Sequence, residues 1–99
     1  MFRGTTPIVE FDLPFDVKEL DCMYITITQN DIKVIEKSLS DCFCDGTHIT
    51  CRLTQTDTLS LSSGPNARIQ VRLKTKSGDA LSSVVHTFRV DQILKDGEI

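Results

Sequence analysis

Tryptophan is absent from the 99 residues of this chain, tyrosine occurs once and histidine twice. A sugar-binding sheet face would need exposed aromatic rings, and a single tyrosine is too few to build one. Most of the five phenylalanines fall at apolar positions of strand-like runs and read as core. A serine or cysteine nucleophile needs a base beside it. Only His48 and His86 are available, the first expected on an exposed hairpin and the second in or near the core. Gly4, Gly46, Gly64, Gly78 and Gly97 are scattered one per turn, so no glycine loop cradles a phosphate. There is no His-Glu-x-x-His, calcium loop or nucleophile elbow. The expectation is a non-catalytic chain without a cofactor. No apolar run approaches the roughly 18 residues of a membrane span, and no basic-then-apolar leader opens the sequence. These absences point to a cytoplasmic protein that does not engage a membrane.

What is present is an ordinary globular composition, 25% charged and 39% hydrophobic, enough for one domain over residues 1–99. The net charge of −3 is uneven. Residues 1–50 carry nine acids and four bases, and residues 51–99 carry five acids and seven bases. An acidic chain is a poor general binder of nucleic acid, whereas the asymmetry suits self-assembly or docking. The four cysteines, Cys22, Cys42, Cys44 and Cys51, lie in strand-like runs rather than in paired knuckles. Alternating cysteines of this kind read as small buried hydrophobes, with no metal held between them.

The best-specified local structure is Asp41–Leu53. Asp45-Gly46 sits between two β-prone runs, and glycine tolerates the positive φ that a tight hairpin turn demands. A two-residue loop there pairs Cys44 with Thr47 and Cys42 with Ile49, and leaves Phe43 outward beside His48. A three-residue loop would alter that register. Ile49, Cys51 and Leu53 alternate with Thr50 and Arg52, so one set faces the core.

Around this hairpin the chain reads as further strands. Residues 1–6 form an arm. Ile8–Leu13 is a strand whose Pro7 suits an edge position. Asp16–Asp21 allows one helical turn. Cys22–Gln29 presents Met23, Ile25 and Ile27 to one face. Asn30-Asp31 is a turn, and Val34-Ile35 breaks the alternation of Ile32–Leu39 as a bulge or a change of sheet would. Thr54 or Thr56 can cap a short helix, and Ser63–Asn66 reads as a break. Ala67–Thr75 and Leu81–Val90 close the set, followed by a tail over 91–99 with Ile93 and Leu94 as anchors. About seven short strands joined by turn signals predict an antiparallel two-sheet β-sandwich, with a small barrel as runner-up. Arg68, Arg72, Lys74 and Lys76 point outward from one strand, with Arg52 and Arg89 nearby, and form the candidate interaction surface. A charged face of this kind also discourages edge pairing, so an exposed edge is the other candidate.

Several stretches together carry a resemblance. Phe2-Arg3-Gly4-Thr5-Thr6-Pro7 leads into an alternating strand. Asp45-Gly46 is followed by Ile49-Thr50-Cys51-Arg52-Leu53-Thr54-Gln55-Thr56-Asp57. Ser77-Gly78-Asp79-Ala80-Leu81 precedes Val90-Asp91-Gln92-Ile93-Leu94-Lys95-Asp96-Gly97. Over nearly its whole length the chain resembles small proteins encoded by prophages of Gram-positive bacteria. More distantly it is similar to the amino-terminal immunoglobulin-like domain of phage baseplate upper proteins. The resemblance implies an immunoglobulin-like sandwich serving as a virion or tail-assembly component. Its partners would be other tail or baseplate proteins or a second copy of itself, met in the host cytoplasm during assembly or in the virion. It transfers no catalytic residue. A carbohydrate-binding sandwich is the alternative reading.

Overall fold

A computed structural model describes residues 1–99. Eight strands form two antiparallel sheets, so the chain is a sandwich and not a barrel. The strands are β1 (Ile8–Asp12), β2 (Leu20–Gln29), β3 (Ile32–Ser38), β4 (Phe43–Asp45), β5 (His48–Arg52), β6 (Gly64–Thr75), β7 (Ala80–Ser82) and β8 (His86–Val90). One short helix, α1 (Gln55–Leu59), plugs an end. The first sheet runs β1-β5-β4. The second runs β3-β2-β6, with β7 and β8 both lying along the far edge of β6. In immunoglobulin nomenclature these are strands B-E-D and C′-C-F-G, the latter with G in two pieces. Strand A has no counterpart in the first sheet.

Local chemistry explains most elements. Asp16 caps the 3₁₀ turn Val17–Glu19 by accepting from the Lys18 amide at 2.9 Å. Asn30 and Asp31 both take positive φ, 54° and 62°, the conformation a two-residue type I′ hairpin requires. Ile27 pairs with Ile35 and Thr28 with Lys33, so Val34 is the extra residue of a β-bulge, where the broken alternation placed it. Thr54 caps α1 in a reciprocal capping box with Asp57.

Two hydrophobic clusters fill the sandwich end to end. Met23, Ile25, Ile49 and Cys51 anchor the first, with Leu13 and Leu20. Ile27, Leu53, Leu61 and Val90 anchor the second, with Ile35 and Ala67. Between β2 and the connection into β6, buried Gln29 clips Ser62 with both ends of its amide: Nε2 donates to the Ser62 carbonyl and Oε1 accepts from its amide at 2.8 Å. The amide is therefore buried at little cost.

Several expectations need correction. The hairpin loop is Gly46-Thr47, not Asp45-Gly46, because Asp45 pairs with His48, Cys44 with Ile49 and Phe43 with Thr50. Only Gly46 has positive φ (60°) in this loop, as at the first central position of a type II′ turn. Phe43 thus stands outward beside Thr50 rather than His48. Ser63–Asn66 is not a break: β6 already begins at Gly64, and Pro65 and Asn66 lie in a bulge opposite β8. The last strand is split. The Ser83 hydroxyl accepts from the Val71 amide at 3.0 Å, taking the place of a ladder carbonyl, and the chain leaves register over Val84 and Val85. His86 is exposed, not a core residue, and Leu94 is fully exposed while Ile93 packs near Gly4.

Both ends of the chain are tied to the α1 end of the sandwich. The arm is held by Asp91 N–H to the Met1 carbonyl at 2.6 Å and by Thr58 Oγ1 donating to the Thr5 carbonyl at 2.8 Å. Arg3 donates from Nε to the Leu61 carbonyl (2.6 Å) and from Nη2 to the Leu59 carbonyl (2.9 Å), satisfying acceptors that the helix end leaves open. The tail docks through Gln55, which bonds both the amide and the carbonyl of Ile99.

Candidate functional site

The unpaired side of β1 is the first part of the site. Leu13 N–H donates to the Thr47 carbonyl (2.8 Å) and Leu53 N–H to the Pro7 carbonyl (2.9 Å). With the register Val9↔Cys51 and Phe11↔Ile49, these bonds fix the phase of the ladder. The backbone groups of Val9, Phe11 and Leu13 are turned to β5, and those of Ile8, Glu10 and Asp12 point away from the sheet. No backbone hydrogen bond outside the ladders reaches these three residues. In a complete immunoglobulin sheet, strand A would cover this edge.

The second part is an apolar cleft of about 510 Å³ that opens beneath the same edge. Val9, Phe11 and Leu13 form its roof; Ile69, Val71 and Leu81 are prominent on its floor. The same alternation that faces Met23, Ile25 and Ile27 into a closed core faces Ile69, Val71 and Leu73 into this open one, where they remain only half-buried. The cleft exists because β7 is three residues long and the chain then departs at Ser83. Leu81 in the cleft is left 46% exposed, and Val84, just past Ser83 where the chain departs, 71% exposed.

The carboxylates of the cleft wall are Glu10 and Asp12, and His86 is the one basic side chain that lines it. The two carboxylates hold His48 from the neighbouring strand, Asp12 Oδ1 at 2.8 Å from Nδ1 and Glu10 Oε2 at 3.4 Å from Nε2. With both ring nitrogens facing carboxylates, the imidazole has no free nitrogen to activate a nucleophile. The hydrogen bond to Asp12, with help from its charge and from Glu10, raises the His48 pKa above its ordinary 6.5. The stabilisation this supplies is fully present below the unfolded value and is lost as pH rises through the folded one. A side-chain NMR titration should give His48 a midpoint above 6.5, and Asp12→Asn should return it towards that value. A wild-type midpoint at or below the ordinary value would contradict the pairing.

The basic residues singled out in the sequence do not form one surface. Arg68, Arg72 and Lys74 share the outer face of β6, beside Thr28, Tyr24 and Cys22 of β2. Arg68 lies 3.6 Å from Asp31. Arg89 points the same way from β8 but pairs with Asp91 at 3.3 Å. Lys76 follows the end of β6, in the turn towards β7. Arg52 is on the opposite sheet, with Nη2 3.3 Å from Thr6 Oγ1. Four cations, Arg68, Arg72, Lys74 and Arg89, therefore share this outer face, and Arg52 does not join them.

Cys42 and Cys44 pack against the first core cluster, and Cys51 is buried within it. Burial, then a hydrogen bond with Cys51, pushes the Cys42 thiol up to about 12. It is protonated at neutral pH, unlike the thiolate that binds metal or attacks. No three histidine, cysteine, aspartate or glutamate side chains converge around one point as metal ligands would. Tyr24 and Phe43, the exposed rings of the two sheets, lie on opposite faces and cannot form one stacking platform. No helix is long and apolar enough to cross a membrane. Comparison with protein-family models, curated proteins and solved structures finds no match to the chain.

Sequence reasoning made Ile8–Leu13 an alternating strand, with Val9, Phe11 and Leu13 on one face, and suspected an edge from Pro7. It missed that their face is open. The only signals were the pair Ser82-Ser83, which interrupts the last strand, and Pro14, which ends the first.

Proposed function

We propose that this domain is a protein–protein interaction module of a phage particle, a tail- or baseplate-associated component that works by binding and not by catalysis. The observation that carries the interaction reading is the free β1 edge above an apolar cleft. A strand that offers unpaired backbone groups beside uncovered Val9, Phe11 and Leu81 is a liability unless something covers it. The phage context comes from the resemblance of the sequence, and the immunoglobulin-like sandwich is the fold that resemblance implies. Such a component would act in the host cytoplasm during assembly and then in the particle. Catalysis has little support, since His48 is engaged by two carboxylates and Cys42, Cys44 and Cys51 are core-facing, with Cys22 alone on the outer face beside Lys74. The test is to mix the purified chain with the purified tail and baseplate proteins encoded by the same prophage and to follow co-elution in size-exclusion chromatography. Co-elution with one of them at micromolar concentration is the expected result. Failure with every one of them would remove the tail or baseplate assignment.

A further inference from the structure

We infer that the free edge of β1 accepts an extended segment of a partner protein, one that alternates apolar residues with lysine or arginine, as an added strand in the position of the missing strand A. The inference rests on the interaction-module reading and names the partner's chemistry.

Three features select this occupant. The backbone groups of Ile8, Glu10 and Asp12 are presented at every second residue along one line, which is the spacing an incoming strand matches. A strand seated there turns alternate side chains into the cleft, where Phe11 and Val71 offer apolar walls, so those side chains must be apolar. The intervening side chains emerge beside Glu10 and Asp12, whose side chains are 64% and 74% exposed and whose two carboxylates leave the group net negative even when His48 between them is protonated. Cross-strand neighbours stand about 5 Å apart, where opposite charges stabilise and like charges repel. The intervening positions are therefore lysine or arginine.

The same charges argue against a second copy of β1. An antiparallel pair of these edges, centred on Glu10, sets that carboxylate against its own counterpart. The chain's own ends do not fill the site either, because the arm and the tail are bonded to Asp91, Thr58 and Gln55 at the α1 end.

The test uses the intact chain and three synthetic peptides of about eight residues, the length of a typical strand. One alternates lysine with valine, one alternates glutamate with valine, and one has the lysine–valine composition in blocks. Amide hydrogen exchange followed by NMR reads out the edge directly. The lysine–valine peptide should slow exchange at Ile8, Glu10 and Asp12 by about tenfold or more, with little change at Val9 and Phe11, already bonded to β5. The glutamate–valine and block peptides should bind about tenfold more weakly. The double variant Glu10→Lys with Asp12→Lys should reverse the charge preference. Glu10→Pro removes an amide that makes no backbone bond within the domain and one exposed contact to His48, so it should lower the melting transition only slightly yet abolish binding.

Binding without protection of those three amides would overturn the inference, as would no binding at saturating peptide or equal affinity for both charge patterns. So would a wild-type dimer that Glu10→Pro dissociates, because a second copy would then be the occupant. The two readings fail separately. A tail protein that co-elutes equally well with wild type and Glu10→Pro keeps the module and sinks the edge. Edge protection by the peptide, with no tail or baseplate partner, keeps the edge and sinks the assignment.

Discussion

Truncating Ile25 to alanine should cost about 3 kcal/mol, a drop of roughly 15 °C in Tm for a domain of this size. Ile25 sits in β2, between β3 and β6, and is 1% exposed. Met23, Ile49 and Cys51 belong to the same closed cluster. The truncation removes three carbons and leaves a cavity that the rigid centre of a two-sheet sandwich cannot collapse. The partner of Ile25 on β6 supplies the control. Val71 pairs with it directly but lines the open cleft. Val71→Ala should cost about 1 kcal/mol, because water already reaches that wall and no sealed void forms. Urea unfolding followed by far-UV circular dichroism, with slopes checked for constancy, measures both. Equal losses at the two positions would mean that the cleft is closed in solution, and would count against the docking site as well as the packing argument.

That comparison also marks how far the sequence alone reaches. Local patterns were legible where local chemistry decides the outcome. Met23, Ile25 and Ile27 alternate into the core, Asn30-Asp31 makes its turn, Val34 bulges, and Thr54 caps α1. The hairpin loop slipped by one residue because both settings keep Gly46 in the loop and differ only in its position. Contacts from elsewhere accompany the observed setting: Leu13 N–H bonds the Thr47 carbonyl and Val17 N–H bonds the Gly46 carbonyl, both at 2.8 Å. The cleft was invisible for a related reason. Ile69, Val71 and Leu73 carry the same period-2 signal as a closed core, and alternation reports which way a side chain points, not what stands opposite it. Here the edge of β1 is unpaired and the cleft beneath it stays open. The basic stripe was over-read for the same cause, since Arg52 and Arg68 have similar local patterns on different sheets.

Asp57→Ala should destabilise the domain by about 2 kcal/mol, combining a lost cap with a half-buried lysine left unpaired. Asp57 accepts from the Thr54 amide at 2.9 Å and from Lys37 Nζ at 2.8 Å, joining the start of α1 to β3. Both side chains are only 19% exposed, so this pair is shielded in a way that the surface pair Lys33–Glu36 is not. Burial pushes the Asp57 carboxyl upwards. The hydrogen bond from Lys37, the bonds with Thr54 and the Lys37 charge outweigh it and leave the pKa below the ordinary 3.8. For Lys37 the Asp57 hydrogen bond dominates and raises its pKa above 10.5. A lowered carboxylate contributes stability above its unfolded pKa and loses it as pH falls through the folded value; the raised lysine contributes below its unfolded pKa and loses it as pH rises through the folded one. The difference between wild type and Asp57→Ala should therefore be flat through neutral pH and shrink on acidification below 3.8. Asp57→Asn keeps an acceptor for the Thr54 amide while discarding the charge, and should cost about half as much at pH 7. Denaturant unfolding at pH 7 and at successively lower pH separates the two parts. If Asp57→Ala and Asp57→Asn lose equal stability, the cap contributes nothing; if the loss persists undiminished once the carboxyl is protonated, the Lys37 pair is not its source.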